Sequence, residues 1–149
     1  MSKKNTIVTW GENFATGIPL IDKQHMELVN LTNLLYQACL AGEHKTAFKD
    51  AMSMMVDYVR FHFTAELELL KRINYPGYSE HKAEHDSLVK QILEAVQEFK
   101  AGRIFVPHSF VRTLKDWVFG HIGFTDRKYS KYVAEQKSLG LLSDKDLAG

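Results

Sequence analysis

Apolar residues recur three and four positions apart along most of the chain, which is the pattern of one face of an α-helix. Four such stripes cover approximately residues 22–40, 45–72, 79–101 and 107–132. Short connections separate the stripes, and almost no segment shows the strict alternation that is typical of a β-strand. Four long amphipathic helices joined in this way predict an all-α fold, an up-down-up-down four-helix bundle in which each helix buries its apolar stripe.

Turn-forming and capping residues mark the ends of these stripes. Each of the three prolines falls where the apolar period breaks: Pro19, Pro76 and Pro107. Proline is tolerated at the start of a helix and disrupts its interior, so these positions separate helices. Asp22 and Ser79 stand at the predicted starts of the first and third helices, where we expect them to act as N-caps.

The length of 149 residues suits one domain with one core. We predict a single domain over residues 1–149, with an N-terminal arm at 1–21, the bundle at about 22–132 and a short C-terminal tail at 133–149. Hydrophobic residues make up 45% of the chain and charged residues 25%, which is a globular balance and argues against disorder.

Charge and hydropathy exclude several classes of function. The 19 basic and 18 acidic residues nearly cancel, which argues against a nucleic-acid binder held by phosphate contacts. No apolar run approaches the length of about 20 residues that a transmembrane helix needs, and the first residues lack the apolar core of a secretory signal. A single cysteine, Cys39, cannot form an internal disulfide and fits a reducing compartment. The expected location is the cytoplasm.

Histidines occupy positions that a bundle core normally fills with apolar side chains. Five of the seven lie in the stripes predicted to face inward: His25, His62, His81, His85 and His121. One buried histidine with a backbone partner is common, but each further imidazole adds polar nitrogens that must be satisfied away from water. A shared metal centre satisfies all of them. The other two, His44 and His108, are expected to be exposed or to cap a helix.

Spacing brings carboxylates to the same place. His62 and Glu66 are four residues apart, as are His81 and His85, so each pair lies on one helix face. Asp126 follows His121 by five, which is about 140° around an ideal helix. Asp126 joins the same site only if the helix widens locally or the site extends over more than one ion. Gly120 and Gly123 lie near enough to permit such an irregularity.

Five imidazoles and two carboxylates exceed what one ion needs, so two metal ions are implied. With two six-coordinate ions, this set and one solvent-derived bridge leave about one coordination position open. Nitrogen and oxygen ligands without thiolate suit iron, manganese, copper or zinc. Binding of dioxygen at iron is a natural use of such an open site, and we take it as a hypothesis.

These residues and their order resemble the hemerythrin family, specifically the bacterial hemerythrins. The resemblance lies in Trp10, the approach Gly17-Ile18-Pro19-Leu20-Ile21-Asp22-Lys23-Gln24-His25, the pair His62 and Glu66 in His-Phe-Thr-Ala-Glu, the pair His81 and His85 after Tyr75-Pro76, and Trp117 followed by His121-Ile-Gly-Phe-Thr-Asp126. It covers roughly residues 10–132, and all seven ligand positions are filled. A small departure is Leu67, where many relatives carry a second glutamate that is not a ligand.

The resemblance implies a non-haem di-iron centre in a hemerythrin-like bundle. Two iron ions (Fe2+/Fe3+) would share an oxo or hydroxo bridge, with O2 as the ligand of the open position. Of the metal ligands, His81, His85 and His121 would bind one iron, His25 and His62 the other, and Glu66 and Asp126 would bridge them. The implied role is reversible O2 binding for oxygen transport, storage or delivery, without enzymatic activity.

An O2 site of this kind needs an apolar lining that excludes water. Helix phase places Leu28 one turn after His25, and Trp117 and Val118 about one turn before His121. These three are candidates for the lining of the O2 pocket, and ordinary core packing is an equally good interpretation of any one of them.

Two other function classes stay open at this stage. A di-iron oxidoreductase, such as a peroxidase or ferroxidase, would use a similar centre, although ferritin-like oxidases favour carboxylate-rich sites with Glu-x-x-His pairs. An oxygen or redox sensor module would signal through a partner. The expected partners are O2 and an unidentified enzyme that accepts it, with no nucleic acid and no membrane span.

Overall fold

The computed structural model describes residues 6–41, 45–101 and 107–148, and none of these residues forms a strand. These described residues form a 3-10 turn and six α-helices, with a π-helical segment between the fourth and fifth helices. In chain order they are the turn Glu12–Phe14, α1 (Pro19–Ala41), α2 (Lys45–Arg72), α3 (Tyr78–Lys100), α4 (Pro107–Gly120), the π-segment His121–Thr125, α5 (Asp126–Ser138) and α6 (Asp144–Leu147). The predicted all-α fold is confirmed.

The four long helices pack as a closed ring of neighbours. α1 contacts α2 and α4, and α3 contacts α2 and α4. Helices that follow one another in the chain are therefore adjacent, and the fourth returns to the first. This is the arrangement of a four-helix bundle with short connections, as the stripes predicted.

The first helix begins three residues earlier than predicted. Pro19 occupies its first position, where proline is well accommodated because the N–H it lacks would have no helical partner. Asp22 therefore lies within the first turn and is not the N-cap. Its carboxylate accepts hydrogen bonds from the backbone N–H and the hydroxyl of Thr16, at 2.7 and 2.8 Å, and from the N–H of Gly17 at 3.2 Å. Asp22 thus ties the preceding segment to α1.

The third helix also differs from the prediction at its start. α3 begins at Tyr78 after Gly77, without a side-chain cap, so Ser79 lies inside the helix. The preceding turn supplies the reversal: Asn74 adopts a φ of 57°, in the left-handed region that asparagine tolerates better than most residues.

The fourth helix continues past the predicted end of the bundle. α4, the π-segment and α5 follow one another without interruption to Ser138, beyond Tyr132. The tail that follows folds back onto the bundle, because Leu147 is only 3% exposed and Arg72 donates hydrogen bonds to the carbonyls of Asp146 and Ala148, each at 3.2 Å. The described residues of this tail therefore belong to the packed structure.

The core consists of two apolar clusters with a polar layer between them. The upper cluster includes Leu28, Val59, Phe63, Val118 and Ile122, together with residues further from the polar layer. The lower cluster comprises Ile18, Ile21, Leu69, Leu70, Ile73, Tyr129, Val133 and Leu147. Along α1, His25 separates Ile21 of the lower cluster from Leu28 of the upper cluster, and along α2 Glu66 separates Leu69 from Phe63. The polar layer is the candidate site.

No helix within the described residues is long and apolar enough to cross a membrane. His44 lies outside the described residues, as does the side chain of His108, so the expectation that these two are exposed or capping stays a prediction.

Candidate metal centre

Four parts of the bundle contribute to one buried polar layer. α1 supplies His25, α2 supplies His62 and Glu66, α3 supplies His81 and His85, and the π-segment and the start of α5 supply His121 and Asp126. All seven side chains are buried, although such groups are rarely found in an apolar interior without partners. The structure thus brings together every residue that the spacing singled out as a metal ligand.

The π-segment explains how His121 and Asp126 meet. The backbone N–H of Asp126 bonds to the carbonyl of His121, five residues earlier, where an α-helix would bond four residues earlier. The wider turn rotates Asp126 onto the face of His121. Gly120 has ordinary helical angles of φ −63° and ψ −43°, so the widening does not depend on glycine's conformational freedom at this position.

The carboxylate of Glu66 lies between two sets of imidazoles. Its Oε1 atom is 2.6 Å from Nε2 of His81 and 2.9 Å from Nε2 of His85. Its Oε2 atom is 3.4 Å from Nε2 of His62 and 3.7 Å from Nε2 of His25. Each oxygen of the carboxylate therefore faces a different set.

The two oxygens of Asp126 also face opposite sides of the layer. Its Oδ1 atom is 3.1 Å from Nε2 of His121 and 3.2 Å from Nε2 of His81. Its Oδ2 atom is 3.2 Å from Nε2 of His25. Two overlapping donor groups result, each with donor atoms within 4.8 Å of one another, and both contain Glu66 and Asp126. The first adds His81, His85 and His121, and the second adds His25 and His62.

Several buried polar atoms of this layer have no hydrogen-bond partner among the described residues. They are Nδ1 and Nε2 of His25, Nε2 of His62, Nδ1 of His85, and both carboxylate oxygens of Asp126. A buried polar atom left without a partner costs about 1–3 kcal/mol. Cations held between the Nε2 atoms and the carboxylate oxygens would remove much of that cost, so the donor set fits a metal site. Nitrogen and oxygen donors without thiolate are suited to iron, manganese, copper or zinc.

The two carboxylates raise the pKa values of three of these histidines. Burial disfavours protonation of His25 and His81, but the nearby negative charges of Asp126 and Glu66 outweigh it and raise both pKa values to about 9. The same balance, with Glu84 adding to the carboxylates, raises the pKa of His121 to about 12. Burial prevails for His85, whose pKa is lowered. Without metal, the layer therefore holds protons where cations would bind.

The two carboxylates stay ionised despite complete burial. Burial by itself would raise the pKa of Glu66, but the imidazoles of His121, His25, His62 and His81 around its carboxylate hold it well below its ordinary value. The pKa of Asp126 is likewise lowered by His121 and His25, against burial and the charge of Glu66. Two buried negative charges next to five imidazoles form a strong cation-binding environment.

Residues outside the predicted set support this layer. The Nδ1 atom of His62 bonds to Oε1 of Gln24 at 2.8 Å, and the hydroxyl of Tyr129 donates to Oε2 of Glu66 at 2.9 Å. The ring of Phe63 stacks on that of His85, with centroids 3.8 Å apart and planes 7° apart. Tyr129 follows Asp126 by three residues, so helix phase was a usable signal for it. The Gln24 contact depends on how α1 packs against α2, which sequence spacing does not report.

The three residues predicted to line an O2 pocket differ in burial. Leu28 and Val118 are fully buried in the upper cluster. Trp117 is only partly buried and packs against that cluster from its edge. Leu28 and Val118 therefore lie in the interior of the bundle, whereas Trp117 lies nearer the surface.

Comparisons with known proteins agree with this geometry. The sequence model of the Hemerythrin HHE cation binding domain matches residues 16–133. Bacteriohemerythrin from Methylococcus capsulatus is 30% identical over 124 residues, which is 83% of this chain and 94% of the relative. Bacteriohemerythrin from Pseudomonas paraeruginosa is 32% identical over 142 residues, 95% of this chain and 91% of the relative. A crystal structure of wild-type hemerythrin superimposes with a TM-score of 0.79 at 28% identity, covering 84% of this chain and 96% of that one.

Proposed function

This chain belongs to the hemerythrin family, and on that premise we propose that it binds O2 reversibly at a non-haem di-iron centre, for oxygen transport, storage or delivery. The observation that carries the proposal is the division of the imidazoles by the two carboxylates. One oxygen of each carboxylate faces histidines from α3, and the other faces His25 of α1. A pair of cations sharing two carboxylates requires this arrangement.

We assign the ligands from these distances. His81, His85 and His121 would hold one iron, His25 and His62 the second, and Glu66 and Asp126 both. The second iron would have one imidazole fewer, so we propose that the open coordination position for O2 would lie there. When bound, the two irons supply the electrons for a reversible reaction with O2. The chain itself supplies charge balance, through the two buried carboxylates, and the fixed orientation of the rings.

Exclusion of water is the second task of the chain in this proposal. The upper cluster borders the polar layer, with Leu28 one turn from His25 and Val118 three residues before His121. Buried apolar side chains keep water and polar reductants away from the irons, which limits irreversible oxidation. We assign Leu28 and Val118 to the lining of the O2 pocket and Trp117 to its outer edge.

We propose a binding protein rather than an enzyme. Imidazoles outnumber carboxylates five to two in the combined donor groups, whereas di-iron oxidases of the ferritin type use carboxylate-rich sites. We propose the cytoplasm as its compartment, because the buried cysteine Cys39 is free and fits a reducing environment.

The test is iron analysis combined with repeated oxygenation. The protein is loaded with Fe2+ under nitrogen, and its iron content and absorption spectrum are recorded before air, after air and after renewed removal of O2. We expect two irons per chain and a visible charge-transfer band that appears and disappears over many cycles. One iron per chain, or none, after loading would contradict the proposal. Fast bleaching with turnover of an added electron donor would instead identify an oxidoreductase.

A further inference from the structure

A carboxylate outside the donor groups holds the π-segment. Glu84 lies on α3, its side chain is 41% exposed, and its Oε1 atom accepts two hydrogen bonds. One comes from Nδ1 of His121 at 2.9 Å and the other from the hydroxyl of Thr125 at 2.8 Å. A single oxygen atom thus joins α3 to two residues of the π-segment.

These two residues are the first and last of that segment. His121 opens it and Thr125 closes it, immediately before Asp126. Glu84 therefore spans the widened turn that brings His121 and Asp126 to the same side. It also ties that turn to α3, which carries His81 and His85, the other imidazoles of the same donor group.

The contact with Glu84 sets the orientation of the His121 ring as well. With Nδ1 donating to a carboxylate, the lone pair of a neutral ring lies on Nε2. That Nε2 atom points into the layer, 3.0 Å from Nε2 of His85 and 3.1 Å from Oδ1 of Asp126. A carboxylate behind a metal-binding imidazole orients the ring and makes its free nitrogen a better donor.

We propose that Glu84 is a positioning residue of the metal centre, which clamps the π-segment and strengthens the donor atom of His121 by its negative charge. The inference rests on the proposed function only in that the polar layer binds cations; it does not require that O2 binds reversibly. Because Glu84 is 41% exposed and is not one of the apolar core residues, we expect its replacement to leave the packing of the core intact.

The test compares variants of Glu84 with matched variants of Glu94, an exposed glutamate ten residues further along the same helix. The probe is Co2+ alone, added under nitrogen to metal-free protein in competition with a chelator. We expect Glu84→Ala to weaken Co2+ binding by about 10–100-fold relative to Glu94→Ala. Glu84→Gln keeps an oxygen acceptor and should lose less Co2+ affinity than Glu84→Ala. Thr125→Val should also lose less Co2+ affinity than Glu84→Ala, because His121 keeps its hydrogen bond to Glu84.

A second readout separates the effect of charge from that of structure. In iron-loaded protein, Glu84→Gln should shift the midpoint potential of the iron centre to more positive values than Glu94→Gln, with an unchanged melting temperature of the metal-free protein. A merely structural contact would not move the potential. If Glu84→Ala does not fold, Glu84→Gln decides the question by both readouts.

Equal Co2+ affinities and equal potentials in the Glu84 and Glu94 variants would overturn the inference. The Co2+ titration involves no O2. Loss of affinity in Glu84→Ala therefore supports the clamp even if iron-loaded protein fails to cycle with O2, a result that would contradict only the proposed function.

Discussion

The Nε2 atom of His121 lies 3.1 Å from Oδ1 of Asp126, although the two residues are five positions apart in one helical run. A regular α-helix would place them about 140° apart around its axis. The π-segment removes that difference by one wider turn, closed by the bond from the N–H of Asp126 to the carbonyl of His121. The same turn carries Asp126 to Nε2 of His25 on α1, 3.2 Å away.

Replacement of Asp126 by asparagine is expected to remove one of the two ions. The amide keeps the size of the side chain but loses the negative charge and one of the two oxygens that face opposite histidines. Metal analysis after loading with excess Fe2+ or Co2+ should find close to one ion per chain. Asp116→Asn, at an exposed position of α4, is the matched control and should retain two. Two tightly held ions in Asp126→Asn would contradict the assigned bridging role.

Val118→Thr is expected to speed oxidation of the oxygenated protein. The substitution keeps the shape of the side chain but places a hydroxyl in the upper cluster, where it lowers the free energy of unfolding by about 1–3 kcal/mol and attracts water. We expect the half-life of the oxygenated absorption band to shorten on the order of tenfold, which corresponds to about 1.4 kcal/mol.

Val96→Thr controls for the general cost of this change. Val96 belongs to the same cluster but lies on α3 eleven residues beyond His85. The Val96→Thr variant should lose about as much stability as Val118→Thr, while the half-life of its oxygenated absorption band stays unchanged. An unaltered half-life in Val118→Thr would refute the placement of Val118 in the pocket lining.

The affinity of the metal-free protein for cations should rise with pH through the neutral range. Protons compete with metal ions for the same nitrogens, and the carboxylates raise the pKa of His25 and His81 to about 9 and that of His121 to about 12. Below pH 9 these rings hold protons that the metal must displace. For each proton that a bound cation displaces, the cation affinity should therefore fall by about tenfold when the pH is lowered by one unit. Co2+ competition titrations at roughly pH 6, 7 and 8 measure this pH dependence. An affinity that does not change with pH would contradict the prediction.

Gln24→Ala is expected to weaken the second donor group. Oε1 of Gln24 accepts a hydrogen bond from Nδ1 of His62 at 2.8 Å, which keeps Nε2 of that ring toward Glu66. Loss of such a partner costs about 10–100-fold in metal affinity, and the weaker of two Co2+ binding steps should show it. Gln24→Glu keeps an oxygen acceptor and should lose less. Equal affinities of Gln24→Ala and the unmodified protein would show that packing alone orients His62.

Leu147→Ala is expected to destabilise the bundle, although Leu147 lies on the short helix α6 that follows the bundle helices. Leu147 is 3% exposed in the lower cluster, which also contains Tyr129, the hydrogen-bond donor to Glu66. Truncation of a buried leucine costs about 2 kcal/mol or more. Leu141→Ala is the control, because that side chain is 65% exposed and should change stability by less than about 0.5 kcal/mol. Urea unfolding of both variants measures the difference, and equal midpoints would show that the tail does not support the core.

The helices and the chemistry of the polar layer could be predicted from local spacing. An apolar period of three and four specifies which face of a helix turns inward, and the four-residue separations of His62 from Glu66 and of His81 from His85 are properties of one helix alone. The bounds of the second helix, the bundle architecture and the gathering of the other six polar residues follow from this local regularity, whereas Asp126 reaches the layer through the π-segment. Helix starts were less predictable, because Asp22 and Ser79 are residue types that often act as N-caps but lie inside their helices.

Tertiary structure decided the contacts between helices and the local departure from the α-helix. Which oxygen of Glu66 faces which imidazole depends on the relative rotation and height of α1, α2 and α3, and no spacing within one helix encodes either. The same holds for the bonds of Gln24 to His62 and Glu84 to His121, and for the return of Leu147 to the lower cluster. The amino-acid order specifies the periodicity of each helix, which is a local property. The positions of the two carboxylates between the two sets of imidazoles arise only when separate helices pack against one another.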